Sequence, residues 1–447
     1  MKTSRCVCLA GLFGLAFLAG PIFAVPAMAQ APAAAANIDP APPSQAELIR
    51  SALRKKARGD IEDFYAEREY QPIWVENGMI GRNAQVLLRY IDEAELDGLK
   101  PSRYKADKLR KAIAKADRGD PADIAAAEVE LSKAFAKLVA DMREVKDVGI
   151  DYADQSLRPD DVSTLTALRA ATIRPFGNYL DSMGWMSPHY VKVRQLLQAA
   201  QNQGHPEFML DIIRLNLERA RHLPSPGVRH IVVDAASGRL WYYQAGKEVG
   251  SMKVVVGAQE TQTPLMVGSL TWAIVKPYWN VPDYLVRDNV ARKILSGRTL
   301  KSMNMEVLSD WSENAQVLDP SQVDWQAVAD GRLNLRVREL PGPVNSMGKV
   351  KFVFPNDQGI YLHDTPATDL FKLDDRHKSN GCIRLEKATA LGRWMMGDAL
   401  NLKAKGAEVP IAIPASVPIY LTYLTPIASK SGAVGLLRDV YGLDRLY

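Results

Sequence analysis

Residues 361–386, with the sequence YLHDTPATDLFKLDDRHKSNGCIRLE, decide how the C-terminal half of this chain is interpreted. A short strand-like run ends at His363, a polar loop of turn-forming residues follows, and the segment closes around Cys382. Cys382 is the last of the three cysteines in the chain. A histidine held at a strand end and a cysteine after a glycine are the residue types of a base and its nucleophile. The alternative is that Cys382 is only a small buried hydrophobic residue.

The chemistry of a thiol nucleophile defines what else the segment must supply. A thiol attacks a carbonyl carbon as its thiolate, so it needs a base to accept its proton and donors to hold the oxyanion. His363 is the predicted base. The backbone amides of Gly381 and Cys382 are predicted oxyanion donors, and Gly381 lets a substrate approach closely. Tyr361 shares a strand face with His363, so its hydroxyl is a further predicted donor.

Other polar residues of the segment have roles that compete with or extend this site. Arg384 lies on the same strand face as Cys382 and is predicted to bind a substrate carboxylate. His377 is a rival base, but residues 375–378 form a charged run that indicates a solvated loop. The histidines, the thiol and the scattered aspartates lack the spacing of metal ligands, so neither a metal nor another cofactor is predicted.

The N-terminus has the pattern of a secretory signal peptide at residues 1–29. Lys2 and Arg5 precede an apolar run, and Ala-Met-Ala at 27–29 is typical of a cleavage site. The alternative, a retained membrane anchor, needs about twenty unbroken apolar residues. Residues 30–43 are rich in alanine and proline and are predicted to be a flexible linker. The predicted location is therefore the periplasm.

Cleavage of the signal peptide would remove Cys6, Cys8 and two positive charges, so the net charge would fall from +5 to +3. That charge is too weak to suggest nucleic-acid binding. A single remaining thiol excludes an internal disulfide framework, so the hydrophobic core must stabilise the fold. A chain of 447 residues with 47% apolar residues is expected to form two or more domains.

Helical periodicity dominates residues 44–225, which are predicted to form a helical scaffold domain. Ser44 and Glu47 make a capping-box pattern, and residues 121–145 form the longest periodic segment, with apolar positions three and four apart. The other predicted helices span 83–96, 162–172, 189–203 and 206–222.

A change in composition at residues 224–227 begins a β-rich domain, predicted to span 226–425 with a sandwich-like arrangement. Its strands are predicted at 228–234, 239–244, 251–256, 269–276, 349–354, 360–363 and 417–424, with one helix at 386–400. His230 is interpreted as an ordinary strand residue. The tail at 426–447 is predicted to pack back onto this domain, and the overall class is α+β.

The strand pattern stops between Tyr278 and Pro343, which predicts an inserted helical subdomain at 281–341. Residues 283–295 have the pattern of a helix, and Trp311 adds bulky apolar surface. A connection of about sixty residues within a sheet is too long for an ordinary loop and is typical of a functional lid. The alternative is a subdomain without a catalytic role.

Several motifs together carry a family resemblance. HDT at 363–365 followed by SNGCIRL at 379–385 resembles the signature of the L,D-transpeptidases with a YkuD-type domain, in which a histidine, a loop and Ser-x-Gly-Cys-x-Arg form the active site. PYWNVP, DPSQVDW, PGPVNSMGKVKF and YLHDTP resemble the larger YcbB-like subgroup, from about residue 226 onward. YQPIWVENG near 70–78 and LERARHLP near 217–224 resemble the scaffold of that subgroup, which also has a capping insert.

The chain departs from the family pattern in two places. Asn380 stands where many relatives have a histidine, although the YcbB-like subgroup varies there too. Relatives insert a small peptidoglycan-binding module into the scaffold, and no clear module precedes residue 226 here.

The resemblance implies an exported enzyme that cross-links peptidoglycan between meso-diaminopimelate residues without a cofactor. It implies that Cys382 attacks a donor tetrapeptide stem, that His363 transfers the proton, and that the backbone carbonyl of Asp364 orients the imidazole. The residues that it places around the substrate are Ser379, Asn380 and Arg384, with Tyr278, Trp279 and Trp311 as stacking surfaces.

The implied partners are peptidoglycan stems as donor and acceptor, carbapenem-type β-lactams as covalent inhibitors, and cell-wall synthases. Other readings of the same residues stay open. An L,D-carboxypeptidase or an enzyme that attaches proteins to the wall would use the same site with a different acceptor. A non-enzymatic wall-binding scaffold would carry the site only as a vestige.

Overall fold

The computed structural model describes residues 42–445, so the predicted signal peptide at 1–29, most of the linker at 30–43 and the last two residues lie outside it. A helical half is followed by a strand-rich half, which confirms the α+β class. The change from helix to strand falls between Arg221 and His230. Within the described range, no helix combines the length and the apolar character that a membrane span requires.

The helical half packs around one long central helix. Its helices are α1 Gln45–Lys56, α2 Asp60–Ala66, α3 Asn83–Asp92, α4 Ala106–Ala116, α5 Pro121–Arg143, α6 Thr164–Thr172, α7 Phe176–Asp181, α8 Pro188–Asn202 and α9 Glu207–Arg221. Short strands β1 Val75–Glu76 and β2 Met79–Ile80 pair between α2 and α3, and β3 Asp151–Tyr152 follows α5. The predicted helix at 83–96 ends early, because Ala94–Asp97 tightens into a 3-10 turn closed by Gly98 at φ 72°.

Helix α5 begins where its sequence predicts. The Asp120 carboxylate accepts hydrogen bonds from the N–H groups of Ala122 (2.8 Å) and Asp123 (3.0 Å), and Pro121 occupies the first turn. The apolar positions predicted from the periodicity, including Leu131 and Phe135, are buried. α5 packs against α1, α4 and α6, so it organises the scaffold core.

A buried carboxylate on α5 ties this helix to the loop before β1. Glu128 is fully buried and accepts hydrogen bonds from the Tyr65 hydroxyl (2.6 Å) and from the N–H groups of Ile73 (2.5 Å) and Trp74 (3.1 Å). Burial raises the pKa of Glu128 to about 7, against the opposing effect of those donors. The carboxylate therefore satisfies three buried donors at one point of the scaffold.

We expect Glu128→Ala to lower the free energy of unfolding by about 3 kcal/mol, because three buried donors lose their acceptor. Urea denaturation of the purified protein measures this change. The matched control is Glu130→Ala on the same helix, where a partly exposed carboxylate pairs with Lys108. An exposed pair contributes about 0.5 kcal/mol, so equal losses in the two variants would contradict the prediction.

The strand-rich half contains the remaining elements. Its strands are β4 His230–Asp234, β5 Arg239–Gln244, β6 Lys247–Gly257, β7 Met266–Val275, β8 Trp279–Asn280, β9 Met305–Leu308, β10 Arg336–Glu339, β11 Val350–Val353, β12 Tyr361–His363, β13 His377–Ser379, β14 Ile383–Leu385, β15 Val409–Thr422, β16 Pro426–Ala428 and β17 Val434–Leu436. Its helices are α10 Asp283–Leu285, α11 Arg292–Leu295, α12 Trp325–Ala329 and α13 Ala388–Met396.

Most of these strands form one sheet that closes on itself. The neighbours around it are β7, β11, β12, β14, β6, β5, β4 and β15, and β15 pairs again with β7. The sequence predicted a sandwich-like arrangement. The structure has a single barrel-like sheet instead, around a core that includes Leu240, Phe352 and Ile419. β3 pairs with β7, so the helical half contributes an edge strand to this sheet.

The insert at 281–341 is not purely helical, and the prediction that strands stop there is wrong. β8, β10 and β9 form a three-stranded antiparallel sheet. The predicted helix at 283–295 is present, with a π-helical turn at Val286–Ala291 between α10 and α11. The insert has its own small core. Strands of two to four residues are too short to produce a clear alternation of apolar and polar positions.

The C-terminal tail contacts both domains. β16 and β17 form a hairpin beside α8, and the Tyr441 ring stacks on the Tyr423 ring with a centroid distance of 5.0 Å. The Asp444 carboxylate forms a buried ion pair with Arg219 of α9 at 2.7 Å. The contact with α9 goes beyond the predicted packing of the tail on the catalytic domain.

Candidate active site

The pairing of β12 with β14 brings the predicted site residues onto one face of the sheet. The two strands run parallel, with Leu362 opposite Ile383. Both of these side chains are fully buried in the core of the sheet. Since side chains alternate along a strand, the residues that flank this pair face the opposite side. Those residues are Tyr361, His363, Cys382 and Arg384.

The thiol of Cys382 is protonated at neutral pH in this geometry. Its sulfur donates to the carbonyl oxygen of Gly359 at 3.5 Å. Burial raises the pKa of the Cys382 thiol, while the N–H and hydroxyl of Tyr361 and the charges of Arg384 and Lys351 act in the opposite direction. These groups are therefore placed to stabilise the thiolate once a base has removed the proton.

The imidazole of His363 is held as the neutral tautomer that a base requires. The side chain is only 2% exposed, and Nδ1 lies 2.6 Å from the carbonyl oxygen of Asp364. A carbonyl oxygen can only accept, so the proton sits on Nδ1 and the lone pair on Nε2. Burial lowers the pKa of His363 to about 4, and the charges of Arg384 and Lys351 act in the same direction. His363 is therefore uncharged at neutral pH.

The thiol and the imidazole lie on one face but are not hydrogen-bonded to each other. Among residues 42–445, no hydrogen bond joins the Cys382 sulfur to His363. Catalytic hydrogen bonds are often long without a substrate and tighten when one binds. The contact of Nδ1 with Asp364, which the resemblance implied, is present, and it leaves Nε2 available for the proton.

Tyr361 completes the face with a hydroxyl that stays protonated. Burial and the nearby Cys382 sulfur raise its pKa well above the ordinary value. Its ring lies 5.9 Å from the His363 ring, and the Lys351 ammonium lies 5.9 Å from the centroid of the same ring. A hydroxyl that keeps its proton beside the nucleophile is a donor for a negative charge that develops there.

We expect Tyr361→Phe to reduce the rate of Cys382 acylation about a hundredfold, the typical effect of removing one oxyanion donor. Stopped-flow measurement of carbapenem acylation provides the rate. The matched control is Tyr104→Phe, which removes a hydroxyl that donates to Asp141 in the scaffold at 2.8 Å. Wild-type acylation by the Tyr361 variant would show that the hydroxyl takes no part.

In the loop before the nucleophile, two groups make contacts that differ from their predicted roles. Ser379 is predicted to contact substrate, but it is 3% exposed and its hydroxyl donates to the carbonyl oxygen of Cys382 at 2.6 Å. The N–H of Gly381 is predicted to face the oxyanion, but it donates to the Ser379 hydroxyl at 3.3 Å. Both groups therefore shape the loop. Gly381 adopts φ +108°, a backbone conformation that favours glycine.

Two other residues predicted to contact substrate, Asn380 and Arg384, have side chains without a protein partner that would occupy them in the described range. Asn380 is exposed at the tip of the loop. Arg384 has a buried Nε atom without a hydrogen-bond partner among the described residues, and no carboxylate in that range forms an ion pair with it. A half-buried guanidinium can bind a carboxylate, and the role of Arg384 toward a substrate stays a prediction.

The aromatic surfaces predicted in the insert differ in their accessibility. Trp311 is 62% exposed, and the Arg336 guanidinium lies 5.0 Å from its ring centroid. Trp279 is half-buried against the core of the insert, which leaves only part of its ring for a ligand. Tyr278 is half-buried beneath the Arg338 guanidinium, 3.9 Å from its ring centroid.

Three residues of the site were missed from the sequence. Lys351 lies opposite His363 in the β11–β12 pair, and its ammonium binds the Glu408 carboxylate at 2.8 Å. The other carboxylate oxygen of Glu408 accepts from the N–H of Tyr278 at 2.6 Å, at the root of the insert. Tyr284 of α10 lies close enough to Cys382 that burial and the thiolate charge both raise its pKa. Lys349 and Lys351, which alternate with apolar residues in the strand predicted at 349–354, were the only local signal.

The charged neighbours of His377, the rival base, had indicated a solvated loop. The structure contradicts this prediction. It belongs to β13, which pairs with β6, and its side chain is 9% exposed. Its Nδ1 lies 2.8 Å from the Asp375 carboxylate, and its ring packs edge-on against Tyr441. Arg376 beside it is buried and donates to backbone carbonyls. The charged run at 375–378 was therefore a poor guide to the burial of His377 and Arg376.

A metal site requires several ligating side chains arranged around one point. Between residues 42 and 445, no group of three or more histidine, cysteine, aspartate or glutamate side chains is arranged to hold a metal ion. His230 is buried and stacks on Tyr243 at 4.8 Å, as expected for a core strand residue.

Sequence comparison finds known families in both halves of the chain. Residues 228–411 match the family described as the L,D-transpeptidase catalytic domain, and residues 59–197 match the family described as a scaffold domain. A Haemophilus influenzae protein named as a candidate L,D-transpeptidase is 26% identical over 390 residues, which span 85% of this chain and 77% of that protein.

A comparison with solved structures finds, among others, two proteins described as L,D-transpeptidases, both at low identity and low TM-score. An L,D-transpeptidase from Mycobacterium smegmatis is 14% identical, with 43% of this chain and 58% of that chain covered and a TM-score of 0.20. An L,D-transpeptidase in complex with imipenem is 12% identical, with 44% of this chain and 59% of that chain covered and a TM-score of 0.22.

Proposed function

We propose that this chain, which belongs to the L,D-transpeptidase family and joins a YkuD-type catalytic domain to a scaffold domain, forms 3-3 cross-links in peptidoglycan through a thioester acyl-enzyme. The links would join meso-diaminopimelate residues of two peptide stems. The observation that carries the proposal is the shared face of β12 and β14, where a protonated thiol, a neutral imidazole and two cations lie together.

In the first step Cys382 becomes acylated by a donor tetrapeptide stem. The thiol proton moves to Nε2 of His363 while the sulfur attacks the carbonyl carbon between the third residue and the terminal D-alanine. The C–N bond then breaks, His363 returns the proton to the leaving amine, and D-alanine departs. The carbonyl oxygen carries the transient negative charge, for which the Tyr361 hydroxyl and the Cys382 N–H are the donors.

In the second step the side-chain amine of an acceptor stem attacks the thioester. The new C–N bond forms as the C–S bond breaks, and the proton from the amine returns to the thiolate through His363. The thioester conserves the energy of the broken amide bond, so the reaction needs no external energy source. Arg384 is placed to bind a stem carboxylate during both steps.

The insert is proposed to act as a lid over this face. Tyr284 and Tyr278 bring it close to the nucleophile and to Glu408. A transferase must favour the acceptor amine over hydrolysis, so excluding water from the thioester matters for the outcome. Trp279, Trp311 and Asn380 are proposed as contacts for the stem peptides.

Incubation with a purified disaccharide-tetrapeptide tests the proposed reaction. Cross-linked dimers with loss of one D-alanine are the expected products, identified by mass spectrometry. Tripeptide products without dimers would instead establish an L,D-carboxypeptidase on the same site. Attachment of a wall protein would require that protein as the acceptor in the same assay. An unchanged substrate together with binding to peptidoglycan would favour a non-enzymatic scaffold.

The proposed location and partners follow from the same function. Export through a signal peptide at 1–29 would place the enzyme in the periplasm, beside its substrate and cell-wall synthases. N-terminal sequencing of the protein recovered from a periplasmic fraction tests this, and a start at Gln30 is expected. Carbapenems are proposed as covalent inhibitors, since a strained amide resembles the donor bond that Cys382 attacks.

A further inference from the structure

The C-terminal tail lies outside the region that matches the catalytic family, and it contacts the loop between β6 and β7. That match ends at residue 411, and the tail includes Tyr441, which is 6% exposed. The Tyr441 hydroxyl donates to the carbonyl oxygen of Gly257 at 2.8 Å and accepts from the N–H of Thr263 at 3.2 Å. The side-chain amide of Gln262 donates to the Tyr441 carbonyl oxygen at 3.2 Å. One side chain thus closes the loop between β6 and β7.

That loop in turn holds the peptide unit of the nucleophile. The Thr263 hydroxyl donates to the carbonyl oxygen of Gly381 at 2.7 Å and accepts from the N–H of Gly257 at 2.9 Å. The Thr261 hydroxyl donates to the carbonyl oxygen of Ser379 at 3.0 Å. The nucleophile loop is therefore fixed by two of its carbonyl groups.

The carbonyl group of Gly381 determines where the oxyanion donor points. It belongs to the same peptide unit as the N–H of Cys382, and the unit is planar and trans. Holding the oxygen on one side therefore directs the N–H to the other side. At φ +108°, Gly381 has no side chain to restrict this plane, so the hydrogen bond from Thr263 supplies the restraint.

The other end of the tail is anchored to the scaffold domain. The Asp444 carboxylate accepts from Arg219 at 2.7 Å and from the Asn216 side chain at 3.0 Å, both on α9, and it also binds the Thr425 hydroxyl. The Arg219 and Asp444 side chains are 3% and 5% exposed. A short piece of chain therefore connects a buried scaffold ion pair to the loop that holds the nucleophile.

We propose that Tyr441 is a positioning residue, which acts through Thr263 and Gly381 to aim the Cys382 N–H at the oxyanion. Asp444 holds the tail in place for this role, so the scaffold domain contributes to the acylation rate through the tail. The inference deepens the proposed function, since it assigns a determinant of the same acylation step. It predicts a defect in rate and not in binding.

The test compares imipenem acylation of full-length Tyr441→Phe with that of the wild type, at a temperature well below the midpoint of thermal unfolding. A small displacement of a reacting group can cost up to about a hundredfold, so we expect the acylation rate at saturating imipenem to fall about tenfold. The imipenem concentration for half-maximal rate should stay within about twofold, because the proposed role of Tyr441 concerns the oxyanion that forms during the reaction and not the binding of the ligand.

Tyr90→Phe is the matched control for a purely structural effect. Tyr90 is 5% exposed and its hydroxyl donates to the Leu180 carbonyl oxygen at 2.9 Å, inside the scaffold. This variant should lose thermal stability but acylate at the wild-type rate. Asp444→Asn should show the same rate defect as Tyr441→Phe, because it releases the other end of the tail.

The outcomes separate this inference from the proposed function. A wild-type protein that imipenem does not acylate would overturn the proposed function. If the wild type is acylated and Tyr441→Phe reaches the same saturating rate, only the role of Tyr441 is overturned. If Tyr441→Phe does not fold, Thr263→Val decides, because it removes the contact with Gly381 while keeping the shape of the side chain. A wild-type rate in that variant would also overturn the inference.

Discussion

Replacing Cys382 by alanine should abolish the covalent adduct with a carbapenem and lower the rate of cross-linking by at least about 10⁴-fold. The sulfur is the atom that would carry the acyl group, and no other cysteine lies within the described residues. The Tyr361 donors and the charges of Arg384 and Lys351 converge on this atom, so no neighbouring side chain can replace it. Intact-protein mass spectrometry after imipenem exposure measures the adduct directly.

The control for the cysteine experiment is Lys378→Ala. Lys378 is exposed on the same segment and only reaches the Asp375 carboxylate at 3.7 Å. This variant should form the adduct at the wild-type rate, which would show that loop substitutions as such do not block acylation. An adduct of the same mass on Cys382→Ala would place the nucleophile elsewhere and refute the assignment.

The rate of acylation of the wild type should depend on pH, with an acid limb centred near pH 4. The variant His363→Gln should be acylated about a thousandfold more slowly, because it lacks the base. The pKa of His363 is lowered to about 4 by burial, so the imidazole is neutral above that pH and protonated below it. Only the neutral form accepts the thiol proton. The rate should therefore fall as the pH drops through 4, and it should not fall near the ordinary histidine value of about 6.5.

His377→Gln is the matched control for the pH profile. His377 is the rival base, and it contacts Asp375 and Tyr441. This variant should keep the same acid limb, because the limb reports protonation of the true base, whatever the loss of the contact with Tyr441 does to the rate above that limb. An acid limb near 6.5 that disappears in His377→Gln would reassign the base.

The lowered pKa of His363 also makes the folded protein less stable at low pH. The kinetic experiment must therefore be done where the protein stays folded. The unfolded chain binds a proton at His363 near pH 6.5, whereas the folded chain does so only near pH 4. Stability from this group is therefore present above pH 6.5 and is lost as the pH falls from 6.5 to 4. Thermal melts across this range identify the temperatures at which the acid limb reports only catalysis.

The sequence brought Cys382 and His363 together as a candidate pair because their signals are local, and the structure places both on one face of the sheet. A thiol after a glycine and a histidine at a strand end are visible in a short stretch, and strand alternation assigns Tyr361 to the face of His363. The scaffold helices were predictable for the same reason, since α5 shows its buried face as a periodic pattern over 23 residues. The short strands of the insert lack such a pattern and were missed.

The residues that the sequence did not reveal are those brought in by distant pairing. Lys351 reaches His363 only because β11 pairs with β12, and Glu408 reaches Lys351 only because the chain returns along β15. Tyr441 acts on a loop that lies far from it in sequence. No local pattern identifies such partners.

The sequence by itself determined the class of the fold, the candidate nucleophile and base, and the face of the strand on which Tyr361 lies. Only the tertiary structure decided that the sheet closes, that Ser379 and the Gly381 N–H shape the loop, and that the tail holds it through Thr263. The physical reason is the range of each effect. Periodicity along one segment determines which side chains share its buried face, whereas the direction of one peptide unit depends on hydrogen bonds from segments that meet only in the folded chain.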